Sequence, residues 1–225
     1  MAERQLNLYS TFAYTSEFFA LDEEARRNIR RSIYESVRGI GEATSFYSVY
    51  PARQDSDFMT WSAWNIGEDG KPKQSLVAFA RAIEKHRKYI SPVETLWGFT
   101  SVSQYARGKS EQDIDPFDGE KRGTYFIVYP FSKTKEWYLM SGDARQGQMN
   151  EHIKLGKQYP SIKQLLIYSF GLQDQEFVVA YETEELPLWS DLVRALRATE
   201  ARRHTSLDTP IITGIHQTYE EFIGS

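Results

Sequence analysis

The chain has 225 residues, with 27 basic and 31 acidic side chains and a formal net charge of −4. This length fits one large domain or two small ones. The acidic balance excludes a protein that binds nucleic acid or anionic lipid through an overall positive field. The absence of cysteine excludes disulfide bonds, iron–sulfur clusters, thiolate zinc sites and a cysteine nucleophile.

No stretch of the sequence approaches the roughly 18 consecutive apolar residues that would predict a membrane span. Residues 1–5 lack the charged and then apolar pattern of a signal peptide. We therefore expect a cytoplasmic protein that has no membrane span and no nucleic-acid partner.

The first half of the sequence predicts the element order β-α-β-β-α-β. Asp22 precedes two glutamates and apolar residues at helical spacing, which is typical of a capped amphipathic helix, and this helix is expected to end near Gly39. A second helix is expected over residues 77–90, after a turn signal at residues 67–73. Apolar runs and alternation predict strands over residues 6–14, 43–50, 57–64 and 96–105.

Residues 106–122 are polar and charged, and they form the clearest break in the sequence. After this predicted linker the same element order starts again. Strands are expected over residues 125–129, 162–170, 176–181 and 210–215, and helices over residues 143–156 and 188–204. The interpretation is two ferredoxin-like repeats, residues 1–105 and 123–225, that arose by internal duplication. Two unrelated α+β halves are the alternative.

Each repeat would form a four-stranded antiparallel sheet with its own helices on one face. The open face of each sheet must be buried, so the two sheets are expected to pack together around a barrel-like core. The predicted fold is therefore α+β, of the dimeric α+β barrel type within one chain. A large ligand could then enter only between a sheet and its helices.

One histidine stands out among the four in the sequence. Met149, Ile153 and Leu155 form an apolar surround for His152, and Gly156 lies one helical turn later. A glycine at that position leaves room for a flat group beside the imidazole. A structural or exposed histidine is the alternative. His86 and His204 lie in charged segments and are predicted to be surface residues.

Aromatic residues make up 14% of the chain, and several of them cluster at the end of one predicted strand. Tyr129 directly precedes Pro130, and Lys133 and Trp137 follow within eight residues. Such a group could serve a redox site in which the lysine holds an anion and the aromatic rings carry oxidising equivalents. An ordinary hairpin with aromatic cross-strand pairs is the alternative. The sequence contains neither a glycine-rich phosphate loop nor a GxSxG nucleophile elbow.

Residues 129–138, 150–159 and 196–204 together resemble the chlorite dismutase family, whose members bind b-type haem and carry two ferredoxin-like repeats. The resemblance implies that haem lies in the second repeat and that the protein is a homo-oligomer, in many members a pentamer. It implies that His152 is the proximal iron ligand and that Glu200 accepts a hydrogen bond from the other ring nitrogen of His152. Such a bond fixes the tautomer and raises electron density at the iron.

Members of the family differ in the residues on the side of the haem opposite the proximal histidine. Chlorite-degrading members carry an arginine on the strand after the proximal helix, whereas this sequence has Gln164 there, and Lys163 should point to the opposite face of the strand. This departure argues against chlorite dismutation. The sequence resembles more closely the branch, in particular its actinobacterial subgroup, that decarboxylates iron coproporphyrin III (coproheme) to haem b with hydrogen peroxide.

Resemblance to that branch implies that Tyr129 forms the radical that attacks the propionates, and that Trp137 is a redox-active or pocket residue. The site must be locally basic to hold the propionates, and Lys133, Arg122 and Arg202 are the predicted cations. The other predicted cofactor-binding residues are Met149, Gly156 and Gln164. The subgroup's distal histidine is missing from residues 111–122, so peroxide activation by Gln164, a water or the substrate stays open. Chlorite dismutation and haem binding without turnover are the alternative functions.

Overall fold

A computed structural model describes residues 4–66, 72–105, 108 and 110–224 of the chain. Most of the expected turn at residues 67–73, and residues 106, 107 and 109 of the expected linker, lie outside the described residues. Within these ranges, no helix has the length and apolar content that crossing a membrane requires.

Helices and strands alternate along the chain in two rounds. The first round contains β1 (Gln5–Tyr14), α1 (Ser16–Phe19), α2 (Glu23–Arg38), β2 (Ala43–Ser48), β3 (Phe58–Asn65), α3 (Pro72–Glu84) and β4 (Ile90–Phe99). A 3-10 turn (Gly119–Lys121) leads to the second round, which contains β5 (Tyr125–Lys133), α4 (Lys135–Leu139), α5 (Gly142–Gly156), β6 (Lys163–Tyr168), β7 (Phe177–Thr183), α6 (Leu186–Leu196), a 3-10 helix (Glu200–His204), β8 (Thr205–Leu207), β9 (Ile212–Gln217) and α7 (Tyr219–Gly224).

All the strand pairs are antiparallel, and each round forms a four-stranded sheet. In the first sheet β1 lies between β3 and β4, and β2 pairs with β3. In the second sheet β5 lies between β7 and β9, and β6 pairs with β7. The sheets join edge to edge through β2 with β9 and β4 with β6, which closes them into a barrel. The predicted α+β barrel of two ferredoxin-like repeats is confirmed.

Side-chain alternation along the strands fills the barrel from both repeats. The barrel core contains Tyr9, Tyr47, Met59, Trp61, Phe126, Val128, Val178, Ala180 and Ile212, among others. The opposite face of each sheet is covered by helices, and α7 at the end of the second round packs on the first sheet with α2. Among the described residues, the layer on the first sheet contains eleven buried apolar side chains of the first repeat together with Phe222 of α7, whereas the layer on the second sheet contains only four. The second helix layer is therefore the less densely filled of the two among the described residues.

Three predicted elements are wrong at their boundaries. Ile90 continues the apolar spacing of α3, but the helix ends at Glu84 and Ile90 begins β4, which pairs with β1, so the predicted strand at residues 96–105 starts six residues late. The predicted helix over residues 188–204 ends at Leu196, where the Thr199 hydroxyl donates a hydrogen bond to the Leu196 carbonyl. A short 3-10 helix then replaces the last turn.

Candidate active site

Tyr129 lies on the helix-covered face of the second sheet. Its neighbours Val128 and Ile212 fill the barrel, so alternation along β5 places the Tyr129 ring on the other face, beside Tyr181 with 6.1 Å between ring centroids. Burial raises the pKa of the Tyr129 phenol, and the Tyr181 hydroxyl and the positive charge of Arg197 oppose this effect. Tyr129 is therefore a protonated phenol that lies near cationic groups.

Lys133 and Trp137 lie together where β5 ends. The Thr134 backbone N–H donates to the His204 carbonyl (3.0 Å), which turns the chain so that the buried Trp137 ring comes within 4.5 Å of the Lys133 ammonium. The same ammonium donates to the Ala201 carbonyl (3.2 Å). Burial and the nearby charge of Arg202 lower the pKa of Lys133 to about 8, although Glu176 partly offsets them.

His152 has the properties that an iron ligand needs. It lies on α5, which contributes no fully buried side chain to the layer beneath it. Burial, and then the charge of Lys133, lower the pKa of His152, so its ring is neutral at neutral pH. No hydrogen bond between the imidazole and another described residue is found. A Cβ added to Gly156 would meet no atom within 4 Å, so this glycine adjoins open space.

These observations fit a porphyrin whose own nitrogens complete the iron coordination. A metal held by protein side chains alone would need several ligands, and the described residues contain no group of three or more histidine and acidic side chains that could hold one. A single neutral histidine beside a less densely filled layer would instead suit a haem-type group, whose iron His152 would hold. Met149 lies half-buried one turn before His152 on the same helix.

Glu200 lies close to α5, but its carboxylate is not bonded to His152 in this structure. The Glu200 side chain is 61% exposed and forms an ion pair with Arg203 (3.2 Å), while its backbone N–H donates to the carboxylate of Glu151 (3.2 Å). Glu151 directly precedes His152, so the 3-10 helix is docked beside the candidate ligand. The hydrogen bond from His152 to Glu200 stays a prediction.

Arg122 was expected among the propionate ligands, and the structure places it elsewhere. Its guanidinium lies inside the barrel, 3.3 Å from the Glu182 carboxylate and 4.9 Å from the centre of the Trp61 ring. Both charged side chains are only 3% exposed. Arg122 comes just before β5, and its side chain lies on the same side of the sheet as Phe126 in the barrel core. It therefore lies on the opposite face of the sheet from Tyr129. This prediction is wrong, because the sequence alone did not fix the face to which the linker returns.

Arg202 belongs to an ion cluster that sequence reasoning missed in part. One carboxylate oxygen, Oδ2 of Asp208, lies 2.9 Å from Arg202 and 2.5 Å from Arg197. All three side chains act electrostatically on Tyr129, and Arg202 also acts on Lys133. Two cations thus share one carboxylate, which leaves this cluster with a net positive charge in an acidic chain. Arg197 could have been noticed as a cation near the predicted helix end, but its pairing with Asp208 spans 11 residues of irregular chain.

Gln164 lies exposed on the helix-covered face of β6, opposite Tyr181 in the strand pairing. Its backbone N–H donates to the Gln112 carbonyl (2.7 Å), so described residues of the expected linker run along this strand. The Gln112 amide donates to the carbonyls of Tyr159 and Ile162 (both 3.0 Å) just beyond α5. Lys163 lies on the barrel side, near Glu182, whose pKa is raised by burial; the charges of Arg122 and Lys163 partly oppose this rise.

Two more residues of the site were not anticipated. The His204 ring, predicted to be at the surface, lies 5.9 Å from the Trp137 ring, and its Nε2 lies 3.5 Å from the Gln148 amide nitrogen. The centre of the Tyr105 ring lies 6.2 Å from the centre of the Trp137 ring. His86, also predicted to be solvated, is buried and lies 3.0 Å from the Ser36 hydroxyl. Charged neighbours in the sequence concealed the placement of both histidines.

The fold and the site define a single-chain α+β barrel whose second repeat brings a neutral histidine, a buried tyrosine and several cationic side chains to one face of its sheet. The family model described as "Chlorite dismutase" matches residues 21–217. The chain belongs to the chlorite dismutase family.

Known relatives carry two different activities in their names. A coproheme decarboxylase of Mycolicibacterium smegmatis is 32% identical over 187 residues, which cover 83% of this chain and 76% of the relative. A chlorite dismutase of Ideonella dechloratans is 23% identical over 143 residues, 60% of this chain and 50% of the relative. The solved chlorite dismutase of Candidatus Nitrospira defluvii in complex with imidazole has a TM-score of 0.79 and 22% identity, over 97% of this chain and 93% of that one. This last similarity shows the fold alone.

Proposed function

We propose that the protein decarboxylates iron coproporphyrin III oxidatively to haem b, with hydrogen peroxide as the oxidant. The observation that carries this proposal is the position of the Tyr129 phenol, next to the arginine pair at Asp208 and on the same face of the sheet as Lys133, which acts electrostatically on His152. The similarity to a coproheme decarboxylase over 83% of the chain supports it.

His152 would hold the iron, since its ring is neutral and has no hydrogen bond to the described residues. When bound, the iron porphyrin supplies the two-electron reduction of hydrogen peroxide. Arg197, Arg202 and Lys133 would hold a propionate by charge-assisted hydrogen bonds. A propionate held there would lie beside the Tyr129 oxygen, the atom that would give up a hydrogen atom and then take one from the propionate β-carbon.

The stoichiometry of the proposed reaction is fixed by its atoms and charges. Each propionate reacts with one hydrogen peroxide and one proton, and the products are one vinyl group, one carbon dioxide and two waters. Two of the four propionates react. Trp137 lies against Lys133 and is the aromatic ring that could share an oxidising equivalent with the site.

The neutral Gln164 favours this reaction over chlorite dismutation, because an amide cannot hold a chlorine oxyanion by charge. Lys163 cannot replace the missing arginine, since it lies on the barrel side of β6.

The test is a peroxide titration of the protein with iron coproporphyrin III, followed by mass spectrometry. We expect two successive mass losses of about 46 Da, each carbon dioxide plus two hydrogens. Tyr129→Phe should bind the porphyrin and show no mass loss. Tyr125→Phe is the matched control and should react normally, because Tyr125 lies on the same face of β5 but four residues before Tyr129. Mass loss in Tyr129→Phe, or oxygen release from chlorite by the unaltered protein, would contradict the proposal.

A further inference from the structure

The Asp208 carboxylate occupies an unusual position for a side chain that makes ion pairs. One of its oxygens lies between the guanidinium groups of Arg197 and Arg202, at 2.5 Å and 2.9 Å. The Asp208 side chain is 20% exposed, so it lies at the edge of the site and not in the core.

We infer that Asp208 is the built-in counter-charge of a carboxylate clamp formed by Arg197 and Arg202, and that it competes with the substrate propionate for these two arginines. This inference rests on the proposed function and adds how the site distinguishes substrate from product. Asp208 takes the place of a ligand carboxylate while the clamp is empty.

The charges around Tyr129 support this role. Arg197 and Arg202 supply two positive charges that act on Tyr129, and Asp208 supplies one negative charge. Lys133 lies near Arg202, and the Glu176 carboxylate also acts on it. Without Asp208, two guanidinium groups would face each other with no anion between them, which is costly at a partly buried site. With Asp208 the clamp is partly neutralised, so a propionate gains less on binding than it would from two unpaired arginines.

Competition of this kind assists turnover. A propionate beside Tyr129 displaces Asp208 from the arginines, because its carboxylate makes the same charge-assisted hydrogen bonds. Decarboxylation converts that propionate to a vinyl group, which cannot pair with an arginine. Asp208 then returns to the clamp, and the product, which carries two carboxylates fewer, is held less tightly than the substrate.

The experiment compares two iron-free porphyrins by fluorescence titration, so that iron ligation plays no part. Coproporphyrin III carries four carboxylates and protoporphyrin IX carries two. Asp208→Asn keeps the shape of the side chain and removes its charge, and we expect coproporphyrin III to bind about tenfold more tightly while protoporphyrin IX changes by less than about threefold. Asp191→Asn is the matched control, since Asp191 pairs with Arg194 on the exposed side of α6, and it should change neither affinity.

Equal or weaker binding of coproporphyrin III by a folded Asp208→Asn would overturn the inference. If this variant does not fold, Arg197→Gln provides the second test. Arg197→Gln removes one of the two arginines, so the affinity for coproporphyrin III should fall about tenfold and the affinity for protoporphyrin IX by less than about threefold. Equal losses of affinity for both porphyrins would overturn the inference of a carboxylate clamp. Neither measurement involves turnover. An unaltered protein that shows this selectivity but leaves coproheme unchanged with peroxide would contradict the proposed function alone.

Discussion

Lys133 has a charge that depends on pH close to neutrality. Burial and Arg202 lower its pKa to about 8, whereas an exposed lysine in the unfolded chain titrates near 10.4. The ammonium is present below pH 8 and attracts a propionate there. We therefore predict that the affinity for coproporphyrin III falls about tenfold between pH 7 and pH 10, measured by fluorescence titration in constant salt.

The same shift has the opposite effect on the stability of the unliganded protein. Between pH 8 and the unfolded pKa, the unfolded chain binds more protons at Lys133 than the folded protein does, so the contribution of this group to stability rises with pH. Lys133→Arg stays charged and should remove the pH dependence of binding. The exposed Lys135→Arg is the control. A pH profile that is unchanged in Lys133→Arg would show that another group is responsible.

His152 can be tested separately from the porphyrin pocket. We predict that His152→Ala loses the Soret shift and the tight binding of iron coproporphyrin III, because the iron loses its protein ligand. Iron-free coproporphyrin III should bind within about threefold of the unaltered protein, since its affinity comes from the carboxylates and the ring. Unchanged iron-porphyrin spectra in this variant would contradict the ligand assignment.

At the scale of elements, α5 is held at its ends rather than by a buried face. The Ser141 hydroxyl accepts the Ala144 N–H (3.3 Å) at its start. Beyond its last turn, the Gln112 side chain donates to the carbonyls of Tyr159 and Ile162. A helix without a buried stripe gains little from packing, so these end contacts carry more of its stability than usual.

We therefore predict that Gln112→Ala lowers the free energy of unfolding by about 1 to 3 kcal/mol, because it leaves carbonyl groups unpaired near the helix end. Hydrogen exchange at the C-terminal amides of α5 should accelerate in this variant, and its affinity for porphyrin should fall several-fold. Porphyrin added at saturating concentration should slow the exchange of these amides again. Gln158→Ala, an exposed residue just after the same helix, should show neither effect. Equal exchange rates in the two variants would rule out the anchoring role of Gln112.

The sequence predicted these elements where a local signal was strong. The Asp22 cap and the Gly39 end of α2 were both correct. Predictions failed where a distant contact overrides the local pattern. Ile90 keeps helical spacing with Ile83, but pairing with Tyr14 draws it into a strand. The clamp residues Arg197 and Asp208 lie on separate elements, and no periodicity relates them.

At the scale of the whole molecule, the two repeats share one closed sheet, and a buried ion pair lies inside it. Arg122 comes from the end of the predicted linker, Glu182 from β7 of the second repeat, and Trp61, beneath the guanidinium, from β3 of the first. The Arg122 guanidinium also donates to the Asp118 carbonyl (3.0 Å), which ties the linker to the barrel. This cluster therefore connects three parts of the chain that the sequence presents as separate.

Removing one partner of this pair should leave an uncompensated charge in the barrel. We predict that Arg122→Met lowers the free energy of unfolding by about 3 to 5 kcal/mol. The double variant with Glu182→Leu should recover most of that loss, because it removes both charges together. Urea unfolding of the two single variants and the double variant measures the coupling. Arg122 lies on the opposite face of the sheet from Tyr129, so folded Arg122→Met should bind coproporphyrin III normally. Weaker binding with unchanged stability would return Arg122 to the propionate role.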